Sequence, residues 1–169
     1  AWDITVRTCA YTNHTVMSEA LERWSVDLIA ELLPRIYMII KEIDDRHIHQ
    51  LNRLYSGQRK KINRMSIINY GQVNMANLCI LGSHSVNGVS QLHGEILKRD
   101  LFNDFYTLYP NKFKAITNGI SHRRWLMQAN PKLSELIVEA IGDSWMSTPK
   151  DLIKLREYTD DKAFKDNAV

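Results

Sequence analysis

Three short stretches of this chain combine neutral polar side chains, and two of them contain glycine: residues 11–15 (Tyr-Thr-Asn-His-Thr), 82–89 (Gly-Ser-His-Ser-Val-Asn-Gly-Val) and 117–120 (Thr-Asn-Gly-Ile). Neutral Asn, His, Ser and Thr side chains can both donate and accept hydrogen bonds, which suits the binding of sugar hydroxyls. Glycine lets a backbone approach a ligand closely. Helix capping and turn formation are an alternative explanation for the same residue types. The chemistry therefore indicates a polar binding site and leaves the structural explanation open.

Familiar catalytic and metal-binding signatures are missing from the sequence. It has no glycine-rich nucleotide-binding motif, no His-Glu-x-x-His zinc motif and no Gly-x-Ser-x-Gly nucleophile motif. His47 and His49 lie two residues apart on a predicted helix, so they face different directions. His84 and His93 flank a predicted turn, but a zinc ion would need further ligands. We therefore predict no metal site.

Composition excludes several classes of protein. The 169 residues include 22 Lys and Arg against 19 Asp and Glu, a net charge of +3 that is too small and too evenly spread to favour nucleic-acid binding. The basic run 58–64 is interpreted as a solvated helix face. No apolar run approaches the roughly 20 residues of a membrane span. Cys9 and Cys79 stand among apolar neighbours, which predicts buried thiols in a cytoplasmic protein.

The pattern of apolar residues predicts mostly helix in the first half of the chain. Helical periodicity runs from Ser25, a plausible cap, to Tyr55, and Pro34 predicts a break into two helices. A short helix is predicted over 19–24, and a hairpin over 66–73. A further helix follows Asn74, and Asn87-Gly88 is predicted to form a turn.

The second half of the chain continues the helical pattern with one extended segment. A helix is predicted from Val89, an extended segment over 112–117, and helices that begin at Asn130-Pro131 and Thr148-Pro149. The charged tail from Asp160 is expected to fray. The predicted fold class is mainly α with a few short strands. Because the first residues already belong to a patterned segment, we expect the chain to be cut from a longer one.

Three blocks of sequence stand out: residues 9–24, which include Cys-Ala-Tyr-Thr-Asn-His-Thr-Val and Glu-Ala-Leu-Glu-Arg-Trp, residues 74–89, and residues 117–131. These blocks resemble the α-glucan phosphorylases, the family of glycogen, starch and maltodextrin phosphorylases. The chain departs from the family pattern at Ser18 and Ser25, where many members have proline, at Ser121-His122, where Thr-Pro is usual, and at Asn77, where His is usual. Family members are several times longer, so the chain is similar only to a central segment.

The resemblance implies a fragment of a two-lobed, Rossmann-like α/β glycosyltransferase (GT-B type) fold. Residues 1–116 would form the end of the N-terminal lobe, and residues 117–169 would cross into the start of the C-terminal lobe. The implied activity is phosphorolysis, in which inorganic phosphate releases glucose 1-phosphate from the non-reducing end of an α-1,4-glucan. The implied cofactor is pyridoxal phosphate, whose attachment lysine is not in this chain. The family commonly forms homodimers.

The resemblance also implies roles for six residues. His14 would line the catalytic glucose pocket, with its side chain on the sugar 6-hydroxyl and its backbone carbonyl near the anomeric centre. Asn118 would bind the far hydroxyls, and Val89 would pack against the sugar while Gly88 keeps the backbone close. Thr15 is a further substrate-binding candidate, and Trp125 would lie against the cofactor ring.

Two other functions remain open from the sequence. The segment could be a non-catalytic carbohydrate-binding or regulatory module, or a basic helical nucleic-acid binder whose affinity falls steeply with salt. In the leading interpretation the chain alone is inactive, because it supplies one wall of the pocket. That interpretation requires His14, Val89 and Asn118 to meet at the edge of one cleft.

Overall fold

The computed structural model describes residues 1–168, which divide into two compact units, Ala1–Asn118 and a second that begins at Gly119. The α-helices of the described residues are α1 Trp2–Thr8, α2 Val26–Leu32, α3 Pro34–Leu54, α4 Arg59–Met65, α5 Met75–Leu81, α6 Gln91–Ile96, α7 Asn103–Leu108, α8 Pro131–Ile141 and α9 Lys162–Asn167. The strands are β1 Ala10–Thr12, β2 Arg23–Ser25, β3 Ile68–Asn69, β4 Gln72–Asn74, β5 Ser85–Gly88 and β6 Phe113–Ala115. The fold is therefore mostly helical with short strands, as predicted.

A small parallel sheet organises the first unit. Its strand order is β1-β5-β6, and both pairings are parallel. Tyr11 pairs with Val86, and Val86 pairs with Phe113 on its other side. Val86 is fully buried in the core, which fits a central strand that is covered on both faces.

The predicted turn at Asn87-Gly88 is wrong, because both residues belong to the central strand β5. Pairing with β1 and β6 on both sides outweighs the local preference of this dipeptide for a turn. Gly88 instead allows the backbone of β5 to pack closely against α6. A Cβ added to Gly88 would lie 2.8 Å from the backbone nitrogen of Gly94 in α6.

A second, antiparallel sheet has the order β2-β4-β3. The predicted hairpin is confirmed: β3 and β4 are joined at Tyr70 and Gly71, whose φ angles of 49° and 72° are those of a tight hairpin turn. The helix predicted over 19–24 is wrong. A single 3₁₀ turn, Ser18–Ala20, is followed by β2, because Arg23 and Trp24 pair with Asn74 and Val73 of β4.

The break at Pro34 is confirmed. Helix α2 ends at Leu32 and α3 begins at Pro34, where the missing N–H of proline costs no helical hydrogen bond. Ser25 caps α2 as predicted, and its side chain accepts a hydrogen bond from the Leu28 N–H. The buried residues of α3 follow helical spacing and form its inner face: Ile40, Asp44, His47 and Leu51.

The second unit has the predicted helix start at Asn130, whose side chain accepts from the Leu133 N–H at 3.2 Å. The helix α8 ends at Gly142, where φ is 80°. The tail that was expected to fray contains the short helix α9. Asp161 caps α9 through the Phe164 N–H at 3.0 Å, and the rings of Tyr158 and Phe164 lie 5.1 Å apart.

The two cysteines differ from the predicted pair of core thiols. Cys9 is exposed, because it lies in the short link between α1 and β1, whereas Cys79 is half-buried in α5. Burial raises the pKa of the Cys79 thiol. Among residues 1–168, none of the helices combines the length and apolar character needed to traverse a bilayer.

Candidate functional site

The carboxyl ends of the three parallel strands lie side by side at one edge of the sheet. Three connecting segments leave this edge: residues 13–17 after β1, 89–90 after β5 and 116–118 after β6. We call them the rim loops. Ligand sites in open α/β sheets are commonly built outside the carboxyl ends of neighbouring strands.

Backbone hydrogen bonds tie the rim loops to one another. The Asn13 N–H donates to the Asn87 carbonyl at 2.9 Å, and the Ile116 N–H donates to the Gly88 carbonyl at 3.0 Å. One step further out, the Asn118 N–H donates to the Val89 carbonyl at 3.0 Å. The structure therefore brings His14, Val89 and Asn118, which are far apart in sequence, to one edge of the first unit.

The loop that carries His14 is fixed by the residue before it. Asn13 is only 2% exposed; its Oδ1 accepts from the Thr15 N–H at 3.0 Å, and its Nδ2 donates to the Tyr11 hydroxyl at 3.0 Å. Burial raises the pKa of the Tyr11 phenol. His14 itself is exposed. Its backbone is thus held by a buried neighbour while its side chain remains available to a ligand.

Thr15 is half-buried and already takes part in the loop. Its Oγ1 accepts from the Met17 N–H at 3.1 Å, and its backbone carbonyl lies 3.0 Å from Nε2 of His93. The hydroxyl proton of Thr15 remains free to donate to a ligand. The residue thus combines a structural role with its predicted place among the substrate-binding residues.

The other predicted residues differ in setting. Val89 is half-buried, Gly88 is buried against α6, and Asn118 is exposed. Trp125 lies in the second unit, in the π-helical turn Arg124–Gln128, and its side chain is 65% exposed. The structure therefore joins four of the six predicted residues at the rim loops, with Gly88 beside them at the end of β5, and places Trp125 in a separate unit.

The sequence prediction missed His93, a buried residue in the first turn of α6. One ring nitrogen accepts from the Val89 N–H, and the other faces the loop that carries His14. A signal was available: Ser90 is the helix cap and His93 stands three residues later, the position from which a capping box reaches back to the preceding backbone.

Charged groups elsewhere in the first unit contact one another and an aromatic ring. Residues 1–168 contain no cluster of three or more His, Cys, Asp or Glu side chains placed to hold an ion. In the basic helix α4, Arg64 pairs with Asp104 at 2.7 Å, and the Lys61 ammonium lies 3.9 Å from the Tyr55 ring centre.

Comparison with known proteins agrees with the resemblance of the three sequence blocks. A family model described as "Carbohydrate phosphorylase" matches residues 1–169. The chain belongs to the carbohydrate phosphorylase family. It is 53% identical over 164 residues to the protein named "Glycogen phosphorylase" of Bacillus subtilis (strain 168). It is 52% identical over 167 residues to "Glycogen phosphorylase, muscle form" of Homo sapiens and of Oryctolagus cuniculus.

These matches cover almost all of this chain but a minor part of each relative. Each alignment includes 97% of the chain, 21% of the bacterial protein and 20% of the mammalian ones. The chain therefore spans about a fifth of the length of the phosphorylases it matches. Membership of the family is established over the whole chain.

Proposed function

We propose that this chain is the central segment of an α-1,4-glucan phosphorylase and supplies one wall of its glucose pocket. The reaction is the release of glucose 1-phosphate from the non-reducing end of glycogen or maltodextrin by inorganic phosphate. The observation that carries this proposal is the union of His14, Val89 and Asn118 at the rim loops, in a chain about half identical to glycogen phosphorylases. Exposed polar side chains on a fixed backbone suit recognition of one sugar ring.

Each residue of the wall has a defined task in this proposal. The His14 side chain binds the sugar 6-hydroxyl, and its backbone carbonyl faces the anomeric carbon, where positive charge develops in the transition state. A fixed carbonyl dipole stabilises that charge without having to reorganise during the reaction. Asn118 and Thr15 bind sugar hydroxyls, and Val89 packs against the ring beside Gly88.

The proposed cofactor is pyridoxal phosphate, which supplies proton transfer to and from the substrate phosphate through its own phosphate group. The residues present fit only one side of such a group. The 65% exposed indole of Trp125 offers a flat apolar face to a ring and can exclude water there. The lysine that attaches the cofactor and the side chains that bind its phosphate belong to the remainder of the proposed protein.

The proposed whole protein has two Rossmann-like lobes. Residues 1–116 form the end of the N-terminal lobe, and residues 117–169 begin the C-terminal lobe. The division of the described residues at Asn118 supports this assignment. We further infer a homodimer in the cytoplasm that recognises neither nucleic acid nor membrane.

A phosphorolysis assay tests the proposed function. The full-length protein is incubated with maltoheptaose and inorganic phosphate, and glucose 1-phosphate is measured by a coupled enzyme. We expect product only when phosphate is present, and a matched reaction without phosphate serves as the control. Binding of maltoheptaose without any release of glucose 1-phosphate would favour the carbohydrate-binding module instead.

The isolated chain provides the complementary test. We expect neither turnover nor covalently held cofactor, because the attachment lysine lies outside it. After incubation with pyridoxal phosphate and exhaustive dialysis, the chain should retain no cofactor absorbance. Absorbance that survives dialysis would overturn this part of the proposal.

A further inference from the structure

His93 lies between two of the rim loops and bonds to both. It is 7% exposed, and its Nδ1 accepts from the Val89 N–H at 3.2 Å. Because Nδ1 acts as an acceptor, the proton of the neutral ring is on Nε2. Nε2 donates toward Asn13 Oδ1 at 3.1 Å and the Thr15 carbonyl at 3.0 Å. A single imidazole thus joins the loop after β5 to both neighbours of His14.

The packing of α6 explains why the ring reaches both loops. Gly94 lies so close to β6 that an added Cβ would be 2.7 Å from the Ala115 Cβ, and Gly88 of β5 is equally close to Gly94. The side chain of Ser90 caps the helix by accepting from the His93 N–H at 3.1 Å. The first turn of α6 is therefore pressed against the carboxyl ends of β5 and β6, which places His93 beside both loops.

We propose that His93 is a positioning residue that sets the distance between the His14 loop and Val89, and so shapes the glucose pocket. The inference rests on the proposed function, because it concerns the same site. His14 is exposed and has a buried residue, Asn13, on one side only. The bond from His93 to the Thr15 carbonyl fixes the other side. Misplacement of a reacting group by about 1 Å can cost on the order of 100-fold in rate.

Two variants separate the two ring nitrogens of His93. The side-chain oxygen of asparagine lies the same number of bonds from Cβ as Nδ1, so His93→Asn keeps the acceptor for Val89 and loses the donor toward Asn13 and Thr15. The amide nitrogen of glutamine corresponds to Nε2, so His93→Gln keeps that donor and loses the acceptor. His49→Asn is the matched control, since His49 is an exposed histidine on α3, outside the rim loops and the polar stretches.

The experiment measures phosphorolysis and amide hydrogen exchange in the full-length protein. We expect His93→Asn to lower kcat roughly 10- to 100-fold with little change in KM for phosphate, and any loss of melting temperature to be shared by His93→Gln, because His93 is buried. His93→Gln should recover kcat to within about 3-fold, and His49→Asn should match the wild type. In His93→Asn the amides of residues 13–17 should exchange faster, whereas in His93→Gln the faster amide should be that of Val89.

The outcomes distinguish this inference from the function on which it rests. Wild-type kcat in His93→Asn, or equal loss of kcat and melting temperature in both variants, would overturn the positioning role. A wild-type protein that releases no glucose 1-phosphate would overturn the proposed function. Hydrogen exchange then decides the role of His93 alone: the crossed pattern of residues 13–17 and Val89 supports it, and unchanged exchange rejects it.

Discussion

Two regions of the first unit bury polar side chains, and they use them for different purposes. At the rim loops, Asn13 and His93 are buried, and both bind the backbone of Thr15, the residue after the exposed His14. Behind the hairpin, Asp44 and Asn77 are buried and bind backbone that is itself covered. We call Asp44, Asn77 and their partners the hairpin network.

The hairpin network holds one stretch of chain in place. Asp44 of α3 accepts from the Ile67 N–H at 2.6 Å and the Ile68 N–H at 3.2 Å. Asn77 of α5 donates to the Ser66 carbonyl at 2.7 Å and the Arg64 carbonyl at 3.0 Å. Because backbone groups buried without partners are costly, this network stabilises the connection between α4 and β3.

The contrast indicates which substitutions affect stability and which affect function. In the hairpin network, Asp44 and Asn77 form hydrogen bonds with backbone groups of the same chain. Removing either side chain therefore leaves a buried backbone group without a partner. At the rim loops, His14 and Asn118 are exposed, so removing either side chain leaves no buried group without a partner. We therefore expect substitutions in the hairpin network to lower stability and substitutions of exposed side chains at the rim loops to lower activity.

The largest expected effect is on stability, from Asp44→Ala. The variant removes the acceptor of two backbone N–H groups, one of them fully buried, and should lower the free energy of unfolding by about 3 kcal/mol. Asp44→Asn keeps one acceptor oxygen and should cost less. Urea denaturation of the chain measures both. The neighbouring Asp45→Ala is the control, since Asp45 is exposed and pairs only with Lys41 on the helix surface. Equal losses at positions 44 and 45 would break the comparison.

The next effect is on catalysis, from His14→Ala and Asn118→Ala in the full-length protein. Each should lower kcat/KM for phosphorolysis by roughly 100-fold, which corresponds to about 2.7 kcal/mol of transition-state binding. The melting temperature should stay within about 1 °C of the wild type, because both side chains are exposed. Unchanged kinetics in both variants would contradict their place in the pocket, and a large loss of stability would erase the difference between the two regions.

Local sequence signals predicted the hairpin at Tyr70-Gly71, the break at Pro34 and the cap at Asn130, because each depends on the backbone preference of one or two residues. They failed at Asn87-Gly88 and over 19–24, where pairing with distant strands decides the structure. The parallel sheet that unites the site joins residues about 75 positions apart, as in the Thr12–Asn87 bond. His14 and Asn118 were found through resemblance to a family, whereas periodicity gave no indication of either.

His93 shows why part of the site escaped sequence analysis. Considered by itself, a histidine near another histidine suggests a metal ligand. The sequence analysis considered His93 only in that role and did not consider a role in positioning the loops. Its bonds reach Asn13 and Thr15, whose separation from it in sequence is 80 and 78 residues. Such a contact follows from the β1-β5 pairing and from the fit of Gly88 against Gly94, neither of which a local pattern contains.

A pH-dependent effect of intermediate size belongs to the core beside the hairpin network. His47 of α3 is 5% exposed and stacks on Phe105, and burial lowers its pKa to about 4. The unfolded chain takes up a proton near the ordinary value of about 6.5, so stability falls as the pH drops from about 6.5 toward 4. Between pH 7 and pH 5 the wild type should lose about 2 kcal/mol more than His47→Gln.

Urea denaturation at the two pH values measures this difference. His49→Gln is the matched control, because His49 is an exposed histidine on the same helix. It should show the pH dependence of the wild type. If His47→Gln and the wild type lose the same amount of stability between pH 7 and pH 5, the buried histidine is not the source of the acid sensitivity. Other titratable groups would then account for it.

The smallest expected effect is on stability, from removal of a helix cap at the rim loops. Ser90 caps α6 at the rim, so Ser90→Ala should cost about 1 kcal/mol of stability. Ser25 caps α2 through a bond of 3.5 Å, which is long for a hydrogen bond, so Ser25→Ala should cost less. Urea denaturation of both variants compares the stability that the two caps contribute.

In the full-length protein, Ser90→Ala should leave kcat within about 2-fold of the wild type, because both ring nitrogens of His93 keep their partners. A 10-fold loss of kcat would show that the cap, and not the imidazole alone, sets the geometry of the rim.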